Sequence, residues 1–236
     1  MISVIIPTYQ SQNTLSKCLE SIFTQRDIEF EVIVVDDGST DDTQSLLNQY
    51  RERLSVYSVE HRGAPTARNF GEKNAKGDTL FFCDSDVVLY ADALKRLLSA
   101  LQADPDAAYA YSAFDFNGRH MRGVKFSEYW LQRINYISTM TLIRRQDFPG
   151  FDTNLIRFQD WDLWLTLLEK GRRGIAVHDK LFYTQPRIGI SSGRRPNSQD
   201  EQAIRVKHAL PIPNAFQRFF WRIGFFLYQT IGFFSD

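Results

Sequence analysis

The chain has 236 residues, enough for one substantial core and too few for a string of modules. Its 28 lysine and arginine residues balance 28 aspartate and glutamate residues, so no overall positive charge favours nucleic acid as a partner. Cys18 and Cys83 lie in apolar patterns without metal-binding spacing, which is typical of buried thiols in a reducing compartment, the cytoplasm. Residues 2–6 are too short and lack the basic flank of a secretory signal.

Short apolar runs alternate with helical patterns over the first half of the chain. The predicted strands are 3–6, 31–36, 55–60, 79–83 and 108–112. The predicted helices are 15–23, one ending at Tyr50, and 64–74. This order predicts an α/β fold, with a Rossmann-like, mostly parallel sheet flanked by helices.

The alternation stops near Asn117, which indicates an elaboration of the same domain and not a second Rossmann unit. The strongest helical pattern beyond this point covers residues 160–168, and Gly171 closes it. Residues 187–199 are rich in Gly, Ser, Arg and Pro and are predicted to form a mobile loop.

An aromatic segment, residues 214–234, forms the C-terminal tail. Arg218, Arg222 and Gln229 argue against a membrane span and favour an amphipathic helix at a membrane surface. A helix docked on the protein and an oligomer contact are the alternatives.

Polar residues follow three of the predicted strands. Because ligands of parallel sheets bind beyond the carboxyl ends of the strands, these positions are the first candidates for a site. They are Pro7-Thr8-Tyr9, Asp36-Asp37-Gly38 and Asp84-Ser85-Asp86.

Asp84 and Asp86 emerge from an apolar run and suit a divalent cation that holds a diphosphate. The alternative is a solvated turn in which one of them caps a helix starting near Ala91. The chain has neither Gly-x-Gly-x-x-Gly after its first strand nor Gly-Lys-Ser/Thr anywhere, which excludes dinucleotide oxidoreductases and P-loop enzymes as leading interpretations.

Without those motifs, a bound phosphate group would be held by the cation and by Arg68. A nucleotide base could then stack on Tyr9 and donate its imino proton to Asp37. A turn-forming role for Asp37 and an exposed helical charge for Arg68 are the alternatives.

Five motifs, taken in chain order, resemble the inverting glycosyltransferases of family two, which have the GT-A fold. The similarity covers about residues 2–190. The motifs are Ser3-Val-Ile-Ile-Pro-Thr-Tyr9, Val34-Val-Asp-Asp-Gly-Ser-Thr-Asp41, Ala67-Arg-Asn69, Asp84-Ser-Asp86 and Gln159-Asp-Trp-Asp-Leu-Trp164.

The resemblance implies that residues 1–116 bind a nucleotide sugar, that 117–210 form the acceptor-binding and catalytic half of the same domain, and that 211–236 are an aromatic tail. It implies a UDP-sugar donor, a Mg or Mn ion and a glycan or lipid-linked acceptor. Cell-surface glycan synthesis in the cytoplasm, at the inner face of the plasma membrane, is the expected setting.

Site residues are carried over from the family by motif. The nucleotide-sugar positions are Pro7, Thr8, Tyr9, Asp37, Arg68, Asp84 and Ser85, and the metal ligands are Asp86 and Asp84.

The family's base is the aspartate of a Glu-Asp pair, which here reads Gln159-Asp160. Inversion needs one carboxylate opposite the leaving diphosphate, and Asp160 is expected to stay ionised at a helix N-terminus. A helix cap is its alternative role, and Asp162 is the rival base. Gln159 and Trp161 are candidate acceptor contacts, with core packing as the alternative for Trp161.

Family members often place a histidine after a tyrosine that corresponds to Tyr183, but this chain has Thr184 and Gln185 there. Arginines of the predicted loop, Arg187, Arg194 and Arg195, are expected to close over the diphosphate instead. His178 is expected to be structural.

Two other classes of protein are alternatives to a glycosyltransferase. A nucleotidyltransferase would carry a glycine-rich basic loop after the first strand, which the chain lacks. An inactive sugar-nucleotide-binding or scaffold protein is favoured only by Gln159 and the missing histidine.

Overall fold

A computed structural model of the chain describes residues 1–185 and 197–231. The strands of these residues are β1 (Ile2–Thr8), β2 (Phe30–Asp36), β3 (Ser55–Ser58), β4 (Thr79–Phe82), β5 (Val87–Leu89), β6 (Ala107–Phe116), β7 (Arg119–Met121), β8 (Leu142–Arg144) and β9 (Arg173–Thr184). The helices are α1 (Leu15–Phe23), α2 (Thr43–Asn48), α3 (Ala64–Lys73), α4 (Ala93–Ala103), α5 (Glu128–Leu131), α6 (Gln159–Glu169), α7 (Asn197–Lys207) and α8 (Ala215–Ile231). A short 3-10 turn covers Arg145–Asp147.

The strands form one sheet in the order β3-β2-β1-β4-β8-β6-β9-β5, and β7 pairs with β6. Strands β1 to β4 are parallel, as are β6 and β9. Strand β8 is antiparallel to both β4 and β6, so β6 and β9 run in the same direction as β1. The predicted mostly parallel sheet flanked by helices is confirmed.

All five predicted strands form, and β6 extends four residues past its predicted end. Four further strands in the described residues were not predicted. Strands β5, β7 and β8 have three residues each, too few to show a period of two. Strand β9 is interrupted by exposed His178, Asp179 and Lys180, where its pairing with β6 shifts register.

Each face of the sheet is covered by its own apolar layer. Successive side chains of a strand point to opposite faces, so Val4 of β1 joins the layer of α1 and α4, while Ile5 joins the layer of α3 and α6. Every residue of β1 is buried, as expected for a strand with helices on both sides.

Both cysteine side chains are fully buried, as predicted. The Sγ atoms of Cys18 and Cys83 lie 3.9 Å apart in the layer of α1. They therefore pack as small apolar side chains beneath the end of β4.

The C-terminal segment contains two helices, α7 and α8. The predicted loop 187–199 ends too late, because residues 197–199 already belong to α7. Residues 187–196 of that loop lie outside the described ranges. Helix α8 forms within the predicted aromatic tail. Within 1–185 and 197–231, no helix is both long and apolar enough to cross a bilayer.

Candidate functional site

A cleft of about 1400 Å³ opens at the carboxyl ends of β1, β2 and β4. Thr8 pairs with Asp36 and Ile5 with Phe82, so the residues that follow the three strands emerge along one edge of the sheet. The cleft brings together ten residues singled out from the sequence: Pro7, Thr8, Tyr9, Asp37, Arg68, Asp84, Ser85, Asp86, Gln159 and Asp160.

Asp37 is a buried carboxylate that organises the loop between β3 and α3. It accepts hydrogen bonds from the backbone N–H groups of Arg62 (2.9 Å) and Gly63 (2.8 Å). Its Oδ2 lies 2.9 Å from Nδ1 of His61. Asp37 therefore supports the loop, and it belongs to the lining of the cleft.

Tyr9 is 39% exposed, and its ring stacks on that of His61 with centroids 4.1 Å apart. The two rings form an aromatic surface in the cleft lining beside Asp37. The sequence analysis missed His61, although the rule that ligands bind past the carboxyl ends of strands also applies to β3.

Arg68 is buried, so the alternative of an exposed helical charge is wrong. Its guanidinium donates to Oδ1 of Asp84 at 2.6 Å and to Oε1 of Gln159 at 2.8 Å. Arg68 on α3 therefore joins the end of β4 to the start of α6. Its Nε has no hydrogen-bond partner among the described residues.

Ser85 and the two aspartates beside it are held in different ways. The Ser85 hydroxyl lies 2.8 Å from that of Ser11, and the backbone carbonyl of Asp86 accepts from the N–H of Gln185 at 2.7 Å. Helix α4 begins at Ala93 with Asp92 at its cap position, so neither Asp84 nor Asp86 caps it and that alternative is wrong.

Asp84 and Asp86 supply the hard oxygen donors that Mg²⁺ and Mn²⁺ prefer. In the described ranges no cluster of three His, Cys, Asp or Glu side chains could hold a metal by itself. The donor chemistry nevertheless fits an ion that takes its remaining ligands from substrate phosphates and water, as Mg²⁺ commonly does.

Asp160 is the second residue of α6, and the cap position belongs to Phe158 with φ +57°. The capping alternative is therefore wrong. Oδ1 of Asp160 accepts from the N–H of Trp161 at 2.8 Å and from Nδ2 of Asn135 at 3.0 Å. Burial raises the pKa of Asp160, while these two hydrogen bonds act in the opposite direction.

The expectation that Asp160 stays ionised at the helix N-terminus remains a prediction, and the desolvation of the carboxyl acts against it. A raised pKa makes the carboxylate a stronger base than an exposed aspartate.

Asp162 lies on another face of α6 and does not line the cleft. It is buried, with Oδ1 2.8 Å from both Nε2 of His208 and Nζ of Lys207. Although burial opposes protonation of His208, hydrogen bonds to Asp162 and Glu169 raise its pKa. Asp162 is therefore part of a buried ion-pair group and not a rival base.

Trp161 is only 1% exposed, and its indole N–H donates to the Leu131 carbonyl at 2.7 Å. Its assignment as an acceptor contact is corrected, since a side chain packed in the core cannot reach a ligand in the cleft. Trp164 is buried in the same layer and donates to the Ile137 carbonyl at 3.0 Å. Both tryptophans align α6 with the segment 131–137.

Gln159 uses its amide inside the protein. Nε2 donates to the carbonyls of Leu155 and Ile156, each at 3.0 Å, while Oε1 accepts from Arg68. Gln159 therefore positions Arg68, and its role as an acceptor contact stays a prediction.

The remaining polar candidates lie elsewhere. His178 is outside the cleft lining, with Nδ1 2.6 Å from the Gly123 carbonyl, as expected of a structural histidine. Arg187, Arg194 and Arg195 lie outside the described residues.

The far wall of the cleft was not found from the sequence. It includes residues 135–140, Thr153 and residues 155–158. Asn135, which holds Asp160, belongs to this wall, and its Oδ1 has no hydrogen-bond partner in the described part of the chain. Nothing in the sequence around Asn135 forms a motif.

The sequence profile of glycosyl transferase family 2 matches residues 3–164. The chain belongs to this family. The sheet and the cleft described above agree with the GT-A fold of its structural neighbours.

Three relatives illustrate the similarity. An uncharacterised glycosyltransferase of Rickettsia felis is 29% identical over 221 residues, and the match covers 87% of this chain but 36% of that protein. The putative teichuronic acid biosynthesis glycosyltransferase TuaG of Bacillus subtilis is 28% identical over 209 residues, with 82% of each chain covered. The crystal structure of S. aureus TarS 1-349 in complex with UDP-GlcNAc superposes with a TM-score of 0.73 and 25% identity, covering 87% of this chain and 65% of that one.

The chain thus spans about a third of the length of the Rickettsia relative and most of the length of TuaG.

Proposed function

We propose that the chain is an inverting glycosyltransferase that moves a sugar from a UDP-sugar to an acceptor hydroxyl. The observation that carries this proposal is the convergence, in one cleft, of β1, β2 and β4 ends with Arg68 of α3 and Asp160 of α6. These positions are far apart in sequence, and packing alone does not require polar residues at all of them.

The donor is proposed to lie along the strand ends. The rings of Tyr9 and His61, next to Asp37, suit a pyrimidine base, which stacks on aromatic faces and offers an imino proton. Arg68 and Ser85 suit the diphosphate side. The UDP-GlcNAc complex of TarS supports this choice of donor.

The proposed reaction is a single displacement. The acceptor oxygen forms a bond to the anomeric carbon while the bond from that carbon to the diphosphate oxygen breaks, and the nucleoside diphosphate leaves with the electron pair. Asp160 takes the acceptor hydroxyl's proton on its carboxylate, which its raised pKa favours. Asn135 fixes the orientation of this carboxylate through the bond to Oδ1.

A Mg²⁺ or Mn²⁺ ion held by Asp86 and Asp84 would offset the negative charge of the departing diphosphate. Arg68 supports the same end of the cleft, since its bond to Asp84 fixes that carboxylate next to Asp86.

The acceptor is proposed to be a glycan or a lipid-linked glycan of the cell surface, made in the cytoplasm at the inner face of the plasma membrane. The similarity to TuaG, named as a putative teichuronic acid biosynthesis glycosyltransferase, supports a cell-surface polysaccharide.

Calorimetric titration with UDP-sugars, GDP-sugars and ADP-sugars, with Mn²⁺ or with EDTA, tests this proposal. UDP-sugars are expected to bind in the presence of Mn²⁺ and to be hydrolysed slowly without acceptor. Asp86→Asn should weaken binding by at least about tenfold, because a charged ligand of the ion is lost. Asp92→Asn, a change at an exposed aspartate of the α4 cap position, is the matched control.

Equal affinity for UDP-sugars in Mn²⁺ and in EDTA would show that donor binding does not need a metal ion. Binding of UDP-sugars without hydrolysis or transfer would indicate an inactive binding protein, and release of pyrophosphate from a nucleoside triphosphate would indicate a nucleotidyltransferase.

A further inference from the structure

Helix α8 presents a broad apolar face to solvent. Phe216 is 71% exposed, and the exposed residues recur at spacings of three and four, which places them on one side of the helix. They are Phe216, Phe219, Phe220, Ile223, Phe226 and Leu227. Six large exposed apolar side chains on one helix face indicate an interaction surface.

The opposite face of α8 fixes the helix on the domain. Phe225 is buried, and its ring lies 5.3 Å from that of Tyr136. A Cβ added at Gly224 would come within 2.8 Å of the Trp130 ring, so the glycine permits close contact with α5. The Tyr228 hydroxyl donates to the Lys125 carbonyl at 3.1 Å. The exposed face is therefore held outward by the fold.

One basic side chain, Arg222, is exposed at the flank of this apolar face. The sequence has no acidic residue between Glu201 and Asp236. The lysine and other arginines of the interval pair with carboxylates outside it: Arg205 and Arg218 with Glu201, and Lys207 with Asp152 and Asp162. A surface with a phenylalanine-rich face and a basic flank matches a helix that lies in the interface of an anionic bilayer.

We infer that the exposed face of α8 binds the surface of a membrane containing anionic lipid. A second copy of the chain is a poorer occupant, because a two-fold contact uses the same patch on both subunits and would bring the basic flanks together. Residues 202–235 offer no carboxylate side chain to compensate Arg222 in such a contact.

Membrane binding through α8 also orients the cleft. Tyr136 contacts Phe225 of α8 and lines the cleft next to Asn135, the partner of Asp160. The helix, roughly 10 Å across, thus lies between the bilayer surface and Tyr136 of the far wall. Given the proposed function, this places a lipid-carried acceptor on the side of Asp160.

Flotation of the full chain with vesicles tests the membrane surface. The chain is expected to float with vesicles of phosphatidylcholine mixed with phosphatidylglycerol, and much less with phosphatidylcholine alone. The combined change Phe216→Ser, Phe219→Ser and Phe226→Ser should lower the vesicle-bound fraction at least about tenfold, because the three most exposed apolar side chains that would enter the bilayer are lost. Arg222→Glu should weaken binding to the anionic vesicles only.

Val206→Ser is the matched control, since Val206 is 69% exposed on α7 but is not part of the apolar face, and it should leave vesicle binding unchanged. Binding of UDP, measured without vesicles, should equal that of the unchanged chain in every variant. A failure of UDP binding in the unchanged chain would count against the proposed function and not against the membrane surface.

Absence of flotation with anionic vesicles would overturn the inference. So would equal flotation of the triple variant and the unchanged chain. A dimer detected by light scattering and lost in the triple variant, without vesicle binding, would show that a second copy covers α8.

Discussion

Asp160 and Asp162 lie two residues apart on α6 but in different surroundings. Asp160 lines the cleft and receives hydrogen bonds from two neutral donors, and burial raises its pKa. Asp162 faces the core side and is bonded to Lys207 and His208. The fold thus pairs the Asp162 carboxylate with two cations and leaves the Asp160 carboxyl facing the cleft with neutral hydrogen-bond donors, which is the arrangement that the proposed base needs.

Asp160→Asn is the most severe test of this comparison. The transfer rate should fall on the order of 10³-fold, since a general base typically contributes this much. The amide cannot take the acceptor's proton, yet it removes a desolvated charge, so the melting temperature should stay the same or rise. UDP-sugar affinity, measured by calorimetry, should be retained. Transfer at near the original rate would remove Asp160 as the base.

Asp162→Asn should act on stability instead. Lys207 and His208 would keep Asp152 and Glu169 but lose the buried carboxylate between them, so the free energy of unfolding should fall by about 2 kcal/mol. Urea denaturation measures this loss, and transfer per folded molecule should remain close to that of the unchanged chain. A folded but inactive variant would break the comparison, because it would give Asp162 a part in the chemistry.

Asn135→Ala should have the smallest effect, on the pH dependence of transfer. The hydrogen bond from Asn135 favours the charged carboxylate of Asp160, so its loss should raise the pKa further. Since the base acts when deprotonated, the acid limb of kcat/KM should move to higher pH. Asn48→Ala, at an exposed amide on α2, is the control that should leave the profile unchanged. An unmoved limb would show that Asn135 does not tune Asp160.

The side of the cleft at the strand ends was predictable because its residues directly follow the strands. Parallel pairing of β1 with β2 and β4 necessarily brings Thr8, Asp37 and Asp84 to one edge. The burial of Arg68 was not predictable, since its partners Asp84 and Gln159 are 16 and 91 residues away. Only the folded chain brings both partners next to the Arg68 guanidinium.

The far wall of the cleft could hardly be predicted from the sequence. Asn135 and the rest of the far wall belong to irregular segments whose positions depend on α6 packing, through the bonds from Trp161 and Trp164 to backbone carbonyls. Such contacts leave no periodic pattern. The indole positions also explain why Trp161 was misread as an acceptor contact, because sequence spacing gives the helix face but not what covers it.

Arg205 of α7 is buried, and its guanidinium bonds the carbonyls of Arg133 and Pro211 while pairing with Glu201. One side chain thus ties the connection between α7 and α8 to the backbone immediately before Asn135. The last two helices of the described residues therefore support the far wall of the cleft, and any shortened version that omits them would lose this support together with the cations opposite Asp162.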